Sequence, residues 1–185
     1  MERVPPAKLN ILSIEFLWAF VVTMRPYLLF VSGVTGVAGM SFIDPISASR
    51  ALLLFLTSLL SYGFGQALTD CFQTDTDALS SPYRPLVRGD VTKAQVAAVS
   101  MVGLTWCVSV FAIANPMNLI LAALAAVGLA TYTPFKRKWW TGPLYNAWII
   151  VVLVLMANLS GRRDATPDST LALAATIITV FFGYS

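Results

Sequence analysis

The 185 residues are 57% hydrophobic and only 11% charged, whereas a soluble domain carries roughly 25% charged residues. This composition excludes an ordinary soluble protein and predicts an integral membrane protein. The chain has no histidine, which excludes Ser-His-Asp and Cys-His catalysis and histidine-ligated zinc or haem, and its net charge of +3 gives no sign of nucleic-acid binding.

Apolar stretches follow one another along the chain, and several approach the roughly 20 residues that a helix needs to cross a bilayer. The first, 9–23, is interrupted by Glu15 and is predicted to be a helix lying near the membrane interface. Five spans are then predicted at 26–42, 51–69, 94–114, 117–133 and 144–160, with a partial sixth at 170–185. The predicted fold class is all-α, a multi-span transmembrane helical bundle forming a single domain over residues 1–185.

Basic residues are distributed unevenly between the loops. If the N-terminus is cytoplasmic, nine of the twelve lysines and arginines lie on the cytoplasmic side and three on the other. Cytoplasmic loops are enriched in these residues. We therefore expect a multi-pass protein whose N-terminus and two polar loops, after the 51–69 and 117–133 spans, face the cytoplasm.

An acidic cluster ends the second predicted span. Asp70, Asp75 and Asp77 lie within nine residues there. If the helix continues, Asp70, Gln73 and Asp77 share one face at spacings of three and seven. Two carboxylates so placed can hold Mg²⁺ together with substrate phosphates. The alternative is a solvated acidic helix end.

Basic residues follow on the same predicted side. Arg84 and Arg88 offer forked donors suited to phosphate oxygens, although arginines after a span are also ordinary topology signals. Lys136, Arg137 and Lys138 precede two tryptophans, a segment that would serve equally well as an interfacial anchor. Arg25 precedes Pro26 at the start of the first span and marks either the interface or the site. Acids for a metal and bases for phosphate at one membrane face suit an amphiphile with a diphosphate head and an apolar tail.

These residues resemble the UbiA-type intramembrane prenyltransferase superfamily. Its first motif, N-D-x-x-D-x-x-x-D, corresponds to Thr69–Asp77, and its R-P-L-x-x-G signature corresponds to Arg84–Gly89. Arg25-Pro26 and the Tyr132-Thr133-Pro134 step are also similar, so the resemblance runs from about residue 25 to 142. It implies nine helices, of which five to six are present here, around a cavity open to lipid.

The resemblance also implies a function. Members transfer a prenyl group from a prenyl diphosphate, with Mg²⁺, to a small lipophilic acceptor such as an aromatic or quinone precursor. Asp70, Asp77 and Arg84 would be catalytic, with Asp70 and Asp77, joined by Asp75, as metal ligands. Side chains that would bind the substrate are Arg25, Thr69, Gln73, Arg88, Tyr132, Lys136 and Lys138. Membrane lipid is a further expected partner, and a homo-oligomer stays open.

The sequence departs from the family pattern in three places. Thr69 stands where the family usually has Asn, and Gln73 replaces the central Asp. The second aspartate motif is absent, since the chain stops in the sixth apolar segment, so it is expected to be truncated at its C-terminus. Asp164 and Asp168 have the D-x-x-x-D spacing but fall one loop early, on the opposite predicted face.

The sequence leaves two other functional classes open. A non-catalytic or truncated membrane protein that at most binds prenyl lipids would explain Gln73 and the missing motif. A CDP-alcohol phosphotransferase also uses intramembrane aspartates and Mg²⁺, but the sequence contains no D-G-x-x-A-R run. Transport stays open as a function, although no acidic residue lies in the middle of a predicted span to support it.

Overall fold

The computed structural model describes residues 9–41, 46–136, 141–161 and 167–184. All regular secondary structure in this part of the chain is helical, and it contains no strand. Its helices, in chain order, are α1 Ile14–Thr23, α2 Pro26–Met40, α3 Ala48–Asp70, α4 Thr74–Ser80, α5 Pro85–Arg88, α6 Lys93–Ala114, α7 Asn118–Lys136, α8 Thr141–Gly161 and α9 Pro167–Tyr184.

The long helices confirm four of the five predicted spans, whereas the first, 26–42, corresponds to the 15-residue helix α2. Four of them, α3, α6, α7 and α8, are long and apolar enough to cross a membrane, and α1 with α2 would make a fifth as a bent pair. The predicted partial sixth corresponds to α9, whose apolar part, Leu173–Gly183, is shorter than a full span. The fold class is therefore the one that the sequence predicted, an all-α multi-span bundle.

A sharp bend separates α1 from α2. Ser13 caps α1 by accepting a hydrogen bond from the backbone N–H of Phe16. The axes of α1 and α2 differ by 64°, and Arg25, at the junction, is left-handed with φ 57°. Pro26 then occupies the first turn of α2, where its missing N–H costs nothing. The segment 9–23 thus includes a separate helix, whose position at a membrane interface stays a prediction.

Close backbone approaches let α2 pack between α3 and α8. A β-carbon at Gly36 would come within 2.6 Å of the Ser58 side chain on α3, and one at Gly39 within 2.5 Å of the Val154 carbonyl oxygen on α8. Small residues at such crossings are typical of helix packing in membranes. Asn158, fully buried on α8, donates to the carbonyl of Gly39 over 2.9 Å, so the same crossing is also held by a hydrogen bond.

Contacts between helix ends define two opposite ends of the bundle. At one end Arg50, near the start of α3, donates to the carbonyl of Ser160 at the end of α8, and Asn118 at the start of α7 donates to the Ser160 hydroxyl. The other end, here called the loop end, gathers the starts of α2 and α6 and the end of α3, together with α4 and α5. Its apolar cluster includes Phe16, Met24, Ala67 and Val96.

The first described residues are fastened to the loop end. Thr92 and Gln95 form a capping box at the start of α6. The amide nitrogen of Gln95 also donates to the carbonyl of Leu9 over 2.8 Å, and the N–H of Leu9 donates to the carbonyl of Asp90 over 3.1 Å. The chain before α1 therefore lies against the α5–α6 connection.

Candidate functional site

The acidic cluster forms where α3 ends. The helix stops at Asp70, and the N–H groups of Phe72 and Gln73 bond back to the carbonyls of Thr69 and Asp70 in a tight turn. The uninterrupted helix considered from the sequence is therefore not present, because α4 begins anew at Thr74. The turn nevertheless keeps Asp70, Gln73 and Asp77 together in the interior, exposed by only 2%, 2% and 5%.

Two arginines hold the two buried carboxylates. Arg25 Nη2 donates to Asp70 Oδ1 over 2.6 Å. Arg84 Nη1 lies 2.5 Å from Asp77 Oδ2 and 3.4 Å from Asp70 Oδ2, so one nitrogen bridges both acids. The arginine side chains are themselves only 14% and 16% exposed. Burying four charges is costly unless they are paired, and here two positive charges balance two negative ones.

The backbone positions both arginines. Arg84 precedes α5, whose first residue is Pro85, and Gly89 ends that helix with φ 82°; proline at the start and a left-handed glycine at the end are the residues such a short helix needs. Arg25 is the non-glycine residue with positive φ among the described residues, a conformation that costs of order 1–2 kcal/mol. Its Nε is buried without a hydrogen-bond partner. Arg25 therefore has an unused donor beside Asp70.

Two further polar residues complete this cluster. The amide nitrogen of Gln73 donates to the Thr133 hydroxyl of α7 over 3.4 Å, which brings the end of α7 to the acids. Thr69 is buried, and its hydroxyl donates to the carbonyl of Gln66 on its own helix over 2.9 Å. Tyr132 precedes Thr133 on the same helix. The structure thus brings Arg25, Thr69, Gln73 and Tyr132 to the two acids and Arg84.

The remaining predicted site residues lie elsewhere or outside the description. Asp75 is exposed in the first turn of α4, whereas Asp70 and Asp77 are buried. Arg88 has a side chain 59% exposed and pairs with Asp90, so it is not part of the cluster. Lys136 ends α7, but its side chain lies outside the described residues, and so does all of Lys138.

An apolar cavity lies directly below the acids. On α3, Tyr62 and Gln66 line it and stand eight and four residues before Asp70, on the same helix face. Its other walls come from α6, α7 and α8, and the volume of the cavity, without the open solvent at its mouth, is about 150 Å³. Tyr132 is part of the lining, and the next residue, Thr133, contacts Gln73 of the charged cluster.

The oxygens of Asp70 and Asp77 are a donor set suited to Mg²⁺, which is usually held by one or two carboxylates together with substrate phosphates and water. No group of three or more acidic, cysteine or histidine side chains gathers among the residues that the structure describes. Cys71 is adjacent, but burial and the Asp70 charge raise the pKa of its thiol to about 11, so it is a neutral thiol at neutral pH. The two aspartates fit the ion only with a phosphorylated ligand to complete its shell.

Comparison with known proteins decides the family. The model of the UbiA prenyltransferase family matches residues 27–185. The chain belongs to the UbiA prenyltransferase family. A protoheme IX farnesyltransferase from Geobacter sulfurreducens is 34% identical over 121 residues, which are 63% of this chain and 44% of that protein. A digeranylgeranylglyceryl phosphate synthase from Thermococcus sibiricus is 32% identical over 90 residues, 45% of this chain and 32% of the other.

The fold of a solved structure agrees with that assignment. It is described as giving insights into the biosynthesis of digeranylgeranylglyceryl phosphate synthase in membranes, and it superposes with a TM-score of 0.77 over 91% of this chain and 61% of its own. At 18% identity the likeness shows the fold alone. The chain spans less than half the length of these two curated relatives. With its apolar helices, family membership makes it an integral membrane protein.

Sequence reasoning missed two residues of this UbiA-type site. Gln66 is buried, lines the cavity and lies one turn before Asp70; a polar residue four positions before an acid, inside an apolar span, was the available signal. In the sequence Thr133 stands out only as part of the Tyr132-Thr133-Pro134 step, and its contact with Gln73 depends on the packing of α7 against the turn after α3. Nothing local in the sequence indicates that contact.

Proposed function

We propose that this protein transfers a prenyl group from a prenyl diphosphate to a small lipophilic acceptor, an aromatic compound or quinone precursor, within the membrane and with Mg²⁺. One observation carries the proposal: two buried carboxylates are paired with two arginines at the end of α3, and an apolar cavity extends along the face of that helix that carries Asp70. The cluster suits a diphosphate and the cavity suits its hydrocarbon tail. The family match supports prenyl transfer in general.

In the resting protein the charged cluster neutralises itself. Arg84 donates to both carboxylates, so we propose that it turns from them to the diphosphate oxygens when substrate enters. Asp70 and Asp77 would then hold Mg²⁺, which supplies positive charge at the leaving group. Arg25 stays beside Asp70, and its buried Nε provides a donor for a further phosphate oxygen. Asp75 is exposed and would at most affect the metal through its charge, without binding it directly.

The chemistry requires that charge be stabilised at both ends of the breaking bond. The carbon–oxygen bond of the donor breaks, its electron pair passes to the diphosphate, and Arg84 and Arg25 stabilise the negative charge that develops there. The allylic cation is left among apolar walls and the ring of Tyr132, which exclude water. An electron-rich carbon or oxygen of the acceptor forms the new bond, and its proton passes to the released diphosphate.

Gln73 and Thr69 hold positions in this site without adding charge. Gln73 connects the acids to α7 through Thr133, and Thr69 bonds to its own helix. We propose that Gln73 and Thr69 help to position the diphosphate. Lys136 and Lys138, which follow Thr133 in sequence, are proposed to add positive charge for binding the diphosphate. Arg88, paired with Asp90, would act on the substrate only indirectly, through the α5–α6 connection.

The alternative of a non-catalytic prenyl-lipid binder is favoured by Gln73, which leaves the buried cluster with two acids rather than three. The test is transfer of label from farnesyl or geranylgeranyl diphosphate, in membranes containing the protein, to a panel of quinone precursors. Product that requires Mg²⁺ and is lost in Asp77→Asn and Arg84→Ala supports the enzyme. Glu15→Gln removes one exposed negative charge and is the matched control. Substrate binding without product would support the alternative.

We also propose that the loop end faces the cytoplasm, because most basic residues lie in its loops. Ser80→Cys places an exposed thiol at this end, and Ser49→Cys places one at the other. In inside-out vesicles an impermeant maleimide should label only the first, and in right-side-out vesicles only the second. The reverse pattern would contradict this orientation.

A further inference from the structure

The cavity has a definite depth. Its lining residues extend from Ala122 to Tyr132 along α7 and from Asn146 to Met156 along α8. Ten residues of helix rise about 15 Å. Tyr132 lies at the loop end, beside the acids, and Met156 lies toward the opposite end of the bundle. A chain whose diphosphate sits on Arg25 and Arg84 therefore has about 15 Å of apolar space below it.

Phe111 closes the far end of this space. It lines the cavity with Met156, is only 1% exposed, and belongs to an apolar core cluster that continues beyond it to Leu54 and Met40. The described members of that cluster are all apolar. Removing the ring would therefore extend the cavity into an apolar region rather than into water.

The backbone beneath Phe111 is firmly held. The side-chain nitrogen of Asn118, fully buried, donates to the carbonyl of Phe111 over 2.9 Å and to the Ser160 hydroxyl over 2.8 Å. Asn115 donates to the carbonyl of Leu159 over 3.1 Å. These bonds join the end of α6 to the end of α8, so the floor of the cavity cannot easily retreat before a longer ligand.

We propose that Phe111 sets the length of the prenyl chain and that the cavity takes about three isoprene units, a farnesyl chain. An isoprene unit advances through four carbon–carbon bonds of about 1.5 Å, or about 5 Å when extended, so about 15 Å accommodates about three. This inference rests on the proposed function, since it takes the diphosphate to sit on the arginines. A fourth unit would meet the phenyl ring of Phe111.

The test is binding of hydrolysis-resistant thiolodiphosphate analogues with geranyl, farnesyl and geranylgeranyl chains to the purified protein in detergent with Mg²⁺, measured by calorimetry. Farnesyl should bind at least tenfold more tightly than geranyl, because a further apolar unit is buried. Geranylgeranyl should bind no more tightly than farnesyl. In Phe111→Ala the geranylgeranyl analogue should gain about tenfold relative to farnesyl, since the clash of an overfilled site is relieved.

Phe55→Ala is the matched control, because Phe55 packs against the same core cluster but does not line the cavity. It should leave the order of the three affinities unchanged. Phe111→Trp is the opposite change and should weaken farnesyl relative to geranyl, which keeps the proposal testable if Phe111→Ala does not fold.

Two kinds of failure are distinguishable. Affinities that rise by the same factor from geranyl to farnesyl to geranylgeranyl, and keep their ratios when Phe111 is changed, would overturn the role of Phe111 while leaving the diphosphate site intact. Failure of all three analogues and of inorganic diphosphate to bind would overturn the proposed function itself, and this inference with it.

Discussion

Arg25 donates from Nη2 to Oδ1 of Asp70 over 2.6 Å, across 45 residues of sequence. The contact joins the start of α2 to the end of α3, and it is made from a backbone conformation that non-glycine residues avoid. Strain of this kind persists where surrounding structure enforces it, often at functional sites. Here the enforcing structure is the bend between α1 and α2, which points an arginine into the bundle.

Arg25→Ala and Arg25→Gly separate the ion pair from the backbone strain. Both leave Asp70 buried without its closest partner, which we expect to cost about 2–4 kcal/mol, somewhat below a fully buried pair because Arg25 is partly exposed. Glycine adopts positive φ freely, so Arg25→Gly should be more stable than Arg25→Ala by about 1 kcal/mol. Unfolding in mixed micelles measures both. Equal stability of the two variants would contradict the strained conformation.

Gln73→Asp restores a third acid beside Asp70 and Asp77. Without metal, three carboxylates would face two arginines, and we expect a loss of about 1–3 kcal/mol in stability from the unpaired buried charge. Mg²⁺ with inorganic diphosphate should then stabilise the variant more than the parent. Gln73→Asn, which shortens the side chain without charge, is the control. A melting temperature in EDTA that is the same for Gln73→Asp and Gln73→Asn would refute the charge argument.

Gly39→Ala tests the α2–α8 crossing. A β-carbon there meets the Val154 carbonyl oxygen, a backbone atom that cannot move alone, and the shift would also stretch the bond from Asn158 to the Gly39 carbonyl. We expect a loss of about 1–3 kcal/mol. Gly183→Ala on α9 meets nothing within 4 Å and should be neutral or slightly stabilising. The same unfolding assay applies, and a neutral Gly39→Ala would mean that the two helices do not cross this closely.

Cys71 should be slow to alkylate. Burial and the charge of Asp70 raise the pKa of its thiol to about 11, so the reactive thiolate is present at about one part in a thousand at pH 8, against roughly a quarter for an ordinary cysteine. The rate with iodoacetamide, followed by mass spectrometry, should rise about tenfold per pH unit through pH 9. The exposed thiol of Ser80→Cys is the reference. A rate at Cys71 that levels off below pH 9 would contradict the raised pKa.

Much of this architecture could be predicted from the sequence, because membrane spans are read from length and apolarity. The span predicted at 94–114 differs from α6 by one residue. The sequence predicted Asp70 and Asp77 on one face of a continuous helix, but α3 ends at Asp70 and α4 begins at Thr74. Instead of a continuous helix, a turn at 71–73 brings the two acids together. No capping or helix-breaking residue in Cys71-Phe72-Gln73 indicates that turn.

Contacts between residues on different helices could not be predicted from the sequence. Arg88 follows Arg84 by four residues in the same motif, yet it turns outward to Asp90, two residues further along the chain. The sequence gives no reason to prefer either arginine as a phosphate-binding residue. Only the orientation of the short helix α5 shows that Arg84 faces the acids and Arg88 does not. Phe111 likewise appeared as one apolar residue among many in α6, since its place at the end of the cavity depends on α3, α7 and α8.

The hydrogen bond from Gln73 to Thr133 joins residues 60 positions apart, and this has a consequence for biosynthesis. The Arg25–Asp70 pair can form as soon as α3 has been synthesised and inserted. The Gln73 contact must wait until α6 and α7 have also been inserted, because contacts of large sequence separation close late. The charged cluster is therefore assembled before the wall that encloses it. A nascent chain arrested before Thr133 would already contain the paired Arg25 and Asp70 beside an unfinished cavity.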